Sequence, residues 1–161
     1  MNSNEILLIK FYTAFQNKDF RSMQECYAPN AVFRDAVFID LSLIEVKAMW
    51  HMLSMGAKDL VLKFDSVNCS ELKGSCNWIA EYTFSLTKRK VINKIRAEFE
   101  FREGKIVRHH DTFSFWKWAA QAFGLSGILL GWTPFFQKKV QAASRKRLND
   151  FIAQHREYSA A

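Results

Sequence analysis

The chain contains little proline, glycine or cysteine. Its 161 residues include two prolines, six glycines and three cysteines. This scarcity, together with an apolar content of 49%, is typical of one globular domain and excludes a disordered or collagen-like chain. The odd number of cysteines matches neither a disulfide framework nor a zinc motif. We therefore expect Cys26, Cys69 and Cys76 to be reduced, inert thiols.

Net positive charge is small over most of the chain and concentrated in one place. Most of the net charge of +7 comes from one ten-residue stretch without acids, at Lys138, Lys139, Arg145, Lys146 and Arg147. No zinc-finger spacing or aromatic–basic RNA motif accompanies this cluster. We therefore expect no nucleic-acid partner.

Long apolar runs are also missing. The N-terminal residues, MNSNEILLIKF, carry an acid where a secretory signal needs basic residues, and their apolar run is short, so we expect a cytoplasmic protein. Residues 113–136 contain one charge, Lys117, and are about as long as the ~20 residues that span a bilayer. Glycines and Pro134 interrupt this stretch, and a membrane span is therefore not expected.

Three helices are predicted in the first third of the chain. Apolar residues at helical spacing predict a helix over residues 4–17. Asp19 can cap a second, short helix that runs through FRSMQECY. Ser42 and Glu45 have the spacing of a capping box for a third helix over residues 42–55.

Strands are predicted for most of the chain between residues 31 and 115. Residues 31–38, AVFRDAVF, are rich in β-forming side chains and predict a short strand before the third helix. Four alternating segments separated by turns follow, at residues 59–69, 77–86, 91–101 and 106–115. This order indicates an α+β fold in which a curved, mostly antiparallel sheet wraps around the helices.

Strand alternation assigns the two faces of the sheet. The faces expected to point inward carry Trp78, Ala80, Tyr82, Phe84 and Leu86, then Ile95, Ala97, Phe99 and Phe101, and finally Val107, His109, Asp111, Phe113 and Phe115. The adjacent His109 and His110 then face opposite ways and cannot easily bind one metal. His109 and Asp111 share a face, roughly 6 to 7 Å apart at the backbone, and can address one ligand.

The order of these elements resembles the nuclear-transport-factor-2-like superfamily, which includes ketosteroid isomerase, limonene epoxide hydrolase and the SnoaL-like cyclases. The resemblance rests on FYTAFQNKDFRSMQECYAPNAVFRDAVF, EVKAMWHML and FREGKIVRHHDTF. It implies a cone-shaped α+β barrel with an interior pocket, commonly assembled as a homodimer through the sheet. We place this domain at residues 1–115 and a C-terminal helical extension, packed on the same domain, at residues 116–161.

The resemblance also indicates positions for catalytic groups. Asp35 falls where ketosteroid isomerase has its general base. Phe11 and Ala97 fall where that enzyme has its two oxyanion-hole donors, and neither can donate a side-chain hydrogen bond. Loss of one such donor typically costs ~10²- to 10³-fold in rate, so isomerisation by that mechanism is not expected. Tyr12, one position further along the helix, is expected to face a different way.

Asp111 falls near the aspartate that the hydrolase and the SnoaL-like cyclases use in their last strand. The hydrolase's other water-activating residues have no clear match, because strand alternation turns Glu81 outward. Burial raises the pKa of a carboxylate, which suits a general base near neutral pH. We therefore expect Asp35, Asp111 and His109 to be the catalytic candidates, with no metal and no cofactor.

The predicted ligand is an apolar small molecule. Inward-facing side chains that would line its pocket are Phe11, Trp50, Trp78, Tyr82, Phe84, Ala97, Phe99 and Phe113. Two functions remain open: a cofactor-free isomerase, cyclase or hydrolase with an aspartate base, and a non-catalytic binding or interaction module. Whether the chain is an enzyme is left open by the sequence.

The role of the C-terminal extension has several alternatives. Thr133 and Pro134 predict the cap and first residue of an amphipathic helix of about 20 residues. We expect the extension to cover the open end of the cone or to pack on a second subunit. Docking of its basic helix at an anionic membrane surface is the less favoured alternative.

Overall fold

The computed structural model of the protein describes residues 1–159. Six α-helices and five strands follow one another, with a 3₁₀ helix at Arg156–Tyr158. Their order is α1 (Ser3–Gln16), α2 (Phe20–Gln24), β1 (Tyr27–Arg34), α3 (Leu43–Gly56), β2 (Val61–Cys69), β3 (Lys73–Thr83), β4 (Lys90–Arg102), β5 (Lys105–Thr112), α4 (Phe115–Phe123), α5 (Leu125–Leu130) and α6 (Pro134–Gln154). The predicted α+β class is confirmed.

The five strands form one mixed sheet in the order β1-β5-β4-β3-β2. Strands β2 to β5 pair antiparallel with their neighbours, and β1 pairs parallel with β5 at one edge. The inner face of this sheet packs around α1 and α3, whose apolar residues form the main core with it. The arrangement matches the predicted cone, and β5 lies between β1 and β4, where both of its edges are paired.

Two helix starts follow the predicted capping chemistry, and α1 has a cap at Asn2 that was not predicted. The Asn2 side chain accepts from the Glu5 N–H at 2.9 Å, and the Asp19 carboxylate accepts from the Ser22 N–H at 3.1 Å. At α3 the Glu45 carboxylate accepts from the Ser42 N–H at 2.8 Å. These bonds satisfy amide groups that lack partners at a helix N-terminus, and the predicted helices begin there.

The second helix and the first strand differ from their predicted bounds. The helix ends at Gln24 instead of continuing to Tyr27, and β1 begins at Tyr27 rather than at residue 31. Tyr27, Ala31 and Phe33 are buried, but the period of two is broken at Pro29, which is exposed, and the pairing of β1 with β5 shifts register between Tyr27 and Val32. Proline is tolerated there because β1 is an edge strand.

Two inward assignments on the sheet are wrong. Leu86 is 75% exposed, and both it and Phe84 lie in the turn that follows the end of β3 at Thr83. The pairing of β4 with β5 shifts register here, and Val107 has no partner on β4. Ile106 is therefore the fully buried residue, and Val107 is only half-buried. A bulge of this kind changes strand parity locally and is not visible in the alternation itself.

The C-terminal helices pack on the rim of the cone. A second apolar cluster joins α4 to the end of the sheet through Val91, Phe115, Trp118, Ala119 and Ala122. The predicted α6 helix is confirmed, with the Thr133 side chain accepting from the Phe136 N–H. Its Gln137 and Gln141 side chains donate to the Ala36 carbonyl at 3.2 and 3.0 Å. The domain boundary at residue 115 stays a prediction.

Candidate functional site

His109 and Asp111 both point into the cone from β5. They are 1% and 3% exposed, whereas His110 between them is exposed on the outer face. Ala97 lies opposite Asp111 on β4, and Phe99 lies opposite His109. The predicted separation of the two histidines to opposite faces is confirmed.

A chain of hydrogen bonds joins five buried side chains. The Trp50 indole N–H donates to the Tyr27 hydroxyl at 2.9 Å, and that hydroxyl lies 2.7 Å from Nδ1 of His109. Nε2 of His109 lies 3.0 Å from Oδ1 of Asp111, which also accepts from the Trp78 indole at 3.4 Å. Polar groups from α3, β1, β3 and β5 therefore satisfy one another inside an apolar core.

This chain fixes the roles of its members. Trp50 can only donate, so the Tyr27 oxygen accepts from it and the Tyr27 O–H donates onward to Nδ1 of His109. Nε2 of His109 then carries a proton and donates to Asp111. With the proton on Nε2, every donor of the chain has an acceptor, and the imidazole orients the Asp111 carboxyl.

Aromatic side chains fill the space around His109. The rings of Phe11, Phe33 and Trp50 lie 5.7, 4.9 and 6.1 Å from it, and Phe99 lies 4.4 Å away. Each of these four side chains is buried. Of the predicted lining residues, Phe11, Trp50 and Phe99 thus surround His109. Trp78 contacts Asp111.

Asp35 lies at the end of β1, in a turn that reaches the C-terminal helices. Its Oδ1 accepts from the N–H groups of Val37 and Phe38 at 2.7 and 2.6 Å, and Oδ2 makes no hydrogen bond within residues 1–159. Burial raises the pKa of this carboxyl to about 7, against the lowering effect of the two N–H groups. The charge of Asp111 raises it further, so the two acids lie near enough to interact.

The rim around Asp35 is formed by Tyr82 and the second apolar cluster. The Trp118 indole donates to the Tyr82 hydroxyl at 2.9 Å, and burial, opposed by this bond, raises the pKa of Tyr82. Phe84 packs against Trp118 with their rings 5.6 Å apart, and Phe113 contacts both apolar clusters. Among the predicted lining residues, Phe84 therefore belongs to this outer cluster and not to the interior around His109.

Two tyrosines of the interior were missed as site residues by the sequence analysis. Tyr27 was assigned to a helix, and Pro29 breaks the alternation that would have connected it to the inward positions Ala31 and Phe33. Tyr12 was expected to face a different way from Phe11; it is fully buried, with its ring 5.3 Å from that of Phe64. The Tyr12 hydroxyl has no hydrogen-bond partner within residues 1–159. Burial and the charge of Asp111 hold the pKa of Tyr12 well above its usual range.

The described residues offer no clustered metal ligands. No group of three His, Cys, Asp or Glu side chains within residues 1–159 is arranged to hold a metal ion. Over the same residues, no helix is long and apolar enough to cross a membrane. Two surface clefts lie outside the cone, of about 440 Å³ on the outer sheet face beside Arg96 and His110, and of about 520 Å³ between α3 and α6.

Comparison with known proteins identifies the class. The SnoaL-like domain family matches residues 8–109, and the chain belongs to this family. The match includes residues 8–16 of α1, all of α3 and His109, but ends before Asp111. No curated protein matches the sequence significantly.

Solved structures of the nuclear-transport-factor-2-like class share the fold. IdmH from Streptomyces antibioticus, a candidate polyketide cyclase, is 16% identical with a TM-score of 0.61 over 74% of this chain and 98% of that one. AclR from Streptomyces galilaeus, a candidate hydroxylase, is 16% identical with a TM-score of 0.64 over 84% and 97%. A protein of ketosteroid isomerase-like fold from Catenulispora acidiphila, solved with trimethylamine, is 11% identical with a TM-score of 0.64 over 80% and 97%. The predicted superfamily is confirmed, and the homodimer stays a prediction.

Proposed function

We propose that this SnoaL-like protein removes a proton from carbon next to the carbonyl group of an apolar small molecule, with Asp35 as general base and without a cofactor. The observation that carries this proposal is the carboxyl of Asp35. It combines a pKa of about 7, an Oδ2 that makes no hydrogen bond within residues 1–159, and an electrostatic interaction with the buried Asp111. A base whose pKa lies near the working pH is ionised and still accepts a proton readily.

The proposed step begins with proton transfer to Asp35. Oδ2 of Asp35 takes the proton, and the electron pair of the broken C–H bond moves to the carbonyl oxygen to form an enolate. The hydrogen bond of 3.0 Å between His109 and Asp111 keeps these two side chains in fixed positions in the interior. The enolate then takes a proton at another carbon, as in an isomerase, or attacks a second carbonyl carbon, as in a cyclase.

The developing negative oxygen needs a donor that Phe11 and Ala97 cannot supply. We assign this role to the hydroxyl of Tyr12, which is buried and has a free O–H in the described part of the chain. An unpaired buried hydroxyl normally costs free energy, and a ligand oxygen would satisfy it. The resemblance to polyketide cyclases and ketosteroid isomerase-like proteins supports a carbonyl substrate of this class.

A second candidate function is binding without chemistry. It is favoured by the packing around His109, where aromatic rings occupy the interior and the polar groups satisfy one another. In that case an apolar ligand would displace side chains beneath α4 and α6, and it would be released without a chemical change.

Exchange of carbon-bound protons tests the proposal. 2-Tetralone, an apolar bicyclic ketone, would be incubated in D₂O with the full chain, and loss of its proton signals at the carbons next to the carbonyl followed by NMR. We expect the protein to accelerate exchange and Asp35→Asn to lower the rate by on the order of 10²-fold or more. Asn keeps the oxygen that accepts from Val37 and Phe38, so the turn should remain.

Asp40→Asn is the matched control. Asp40 lies five residues from Asp35 and forms a solvent-exposed ion pair with Arg34. This variant should retain the full exchange rate. Equal rates for the wild type and Asp35→Asn would reject Asp35 as the base. Quenching of tryptophan fluorescence by 2-tetralone without faster exchange would favour the binding function.

A further inference from the structure

The segment between α4 and the start of α6 exposes unusually many large apolar side chains. Between residues 116 and 135 seven of them are 46% to 71% exposed. They are Trp116, Leu125, Ile128, Leu129, Leu130, Trp132 and Phe135, and we call them the α5 surface. A soluble protein seldom leaves so many large apolar side chains clustered in water unless the patch has a partner.

Helix α5 is oriented with its small residues inward. Gly127 and Gly131 are buried and pack against α4, where a Cβ atom on Gly127 would lie 1.9 Å from the Ala119 carbonyl oxygen. Only glycine fits this contact, which holds α5 closely against α4. The leucines and isoleucine of α5 are consequently held outward, which reverses the usual amphipathic pattern.

Hydrogen bonds from two indoles make the α5 surface continuous. The Trp116 indole donates to the Ile128 carbonyl at 3.1 Å, and the Trp132 indole donates to the Leu129 carbonyl at 3.0 Å. Both indoles thereby lie beside α5 while their rings stay exposed. Tryptophan is enriched where proteins meet the interface of a bilayer, since its ring is apolar and its N–H polar.

The charges around the α5 surface are positive. No Asp or Glu occurs from Thr112 to Asn149. The Lys139 ammonium lies 5.5 Å from the centre of the Phe135 ring, and the Arg89 guanidinium lies beside Gly124 at the start of α5. Lys117 is exposed on α4 next to Trp116. An apolar surface flanked by cations complements a bilayer that carries anionic headgroups.

We propose that the α5 surface docks this protein on anionic lipid membranes, with its apolar side chains entering the headgroup region. This function is additional to the proposed proton transfer and does not depend on it. The docking element is α5 with its flanking indoles and Lys139, and not the later part of α6, in which Arg145 pairs with Glu45 and Lys146 with Asp150.

A second copy of the chain is a less suitable partner for this surface. A symmetric dimer through α5 would bring the same cations of two chains together, since an isologous interface pairs each patch with itself. Like charges across such an interface are unfavourable, while anionic lipid neutralises them.

Co-sedimentation with vesicles tests the proposal. The full chain would be mixed with vesicles of phosphatidylglycerol and phosphatidylcholine, or of phosphatidylcholine alone. We expect binding to the anionic vesicles that weakens at high salt, and an affinity lowered about tenfold or more by Leu129→Glu. Leu72→Glu is the control, because Leu72 is 67% exposed, similar to Leu129 at 60%, but lies in the hairpin between β2 and β3.

The outcomes separate the alternatives. Circular dichroism would establish that both variants fold. Failure of the intact chain to bind anionic vesicles, or equal loss in the Leu72 and Leu129 variants, would overturn the proposal. Analytical ultracentrifugation adds a further check: a wild-type dimer that Leu129→Glu dissociates, without vesicle binding by the wild type, would assign the α5 surface to a second copy instead.

Discussion

The interior around Asp111 and the rim around Asp35 hold a carboxylate in different ways. Asp111 is 3% exposed and accepts from His109 and Trp78, within a chain that continues to Tyr27. Asp35 accepts two backbone N–H groups with one oxygen and leaves the other unpaired. A carboxylate engaged by side chains is suited to orient its neighbours, whereas an unpaired one with a pKa of about 7 is suited to move a proton.

The largest expected effect comes from removal of the imidazole in the interior. His109→Ala leaves a cavity and takes the principal donor from Asp111, so the free energy of unfolding should fall by about 3 to 5 kcal/mol. His110→Ala, on the exposed outer face, should change it by less than about 0.5 kcal/mol. Urea denaturation of both variants provides the measurement. Similar losses for the two histidines would contradict the assignment of faces.

Asp35, at the rim, should make the free energy of unfolding depend on pH. The pKa of Asp35 is about 7 in the folded protein and 3.8 in the unfolded chain, so folding favours the protonated acid. Its contribution is complete below about pH 4 and is lost as the pH rises through 7. Asp35→Asn should therefore gain about 2 to 3 kcal/mol relative to the wild type between these pH values, after allowance for partial exposure.

This comparison can be measured by urea denaturation at a series of pH values. Asp40→Asn serves as control, because Asp40 is exposed. It should show no such gain. A difference between wild type and Asp35→Asn that stays constant from pH 4 to 7 would mean that Asp35 is not protonated preferentially in the folded state.

A smaller effect should separate the two interior tyrosines. Tyr27→Phe removes the acceptor of Trp50 and the donor to His109, which leaves buried polar atoms unpaired and should cost about 1 to 3 kcal/mol. Tyr12→Phe removes a hydroxyl without a partner in the described residues and should be neutral or slightly stabilising. Thermal unfolding of the pair decides this, and an equal loss in both would show that Tyr12 is also hydrogen-bonded.

Local chemistry made much of this fold predictable from sequence. The caps at Asp19 and Ser42 specify where two helices begin, and the period-two pattern of β4 specifies which face is buried. The same alternation separated His109 from His110. These features depend on neighbouring residues, which a single sequence displays.

Tertiary packing determined what the sequence did not show. The bulge at Val107 depends on how β4 and β5 pair, and the inward position of Tyr12 depends on a helix buried on more than one face. Tyr27 was missed because Pro29 interrupts its strand pattern. Asp35 was found through the resemblance of the chain to ketosteroid isomerase. Its raised pKa follows from burial, in a turn whose Ala36 carbonyl bonds to Gln137 of α6, about a hundred residues away in sequence.

The pH dependence of proton exchange tests the central claim, that Asp35 is the base, most directly. The rate of 2-tetralone exchange would be measured by NMR between pH 5 and 9. Because only ionised Asp35 accepts a proton, the rate should rise with pH and reach half its maximum near pH 7, and Asp35→Asn should remove this rise. A protein-dependent rate that keeps the same profile in Asp35→Asn would contradict the account.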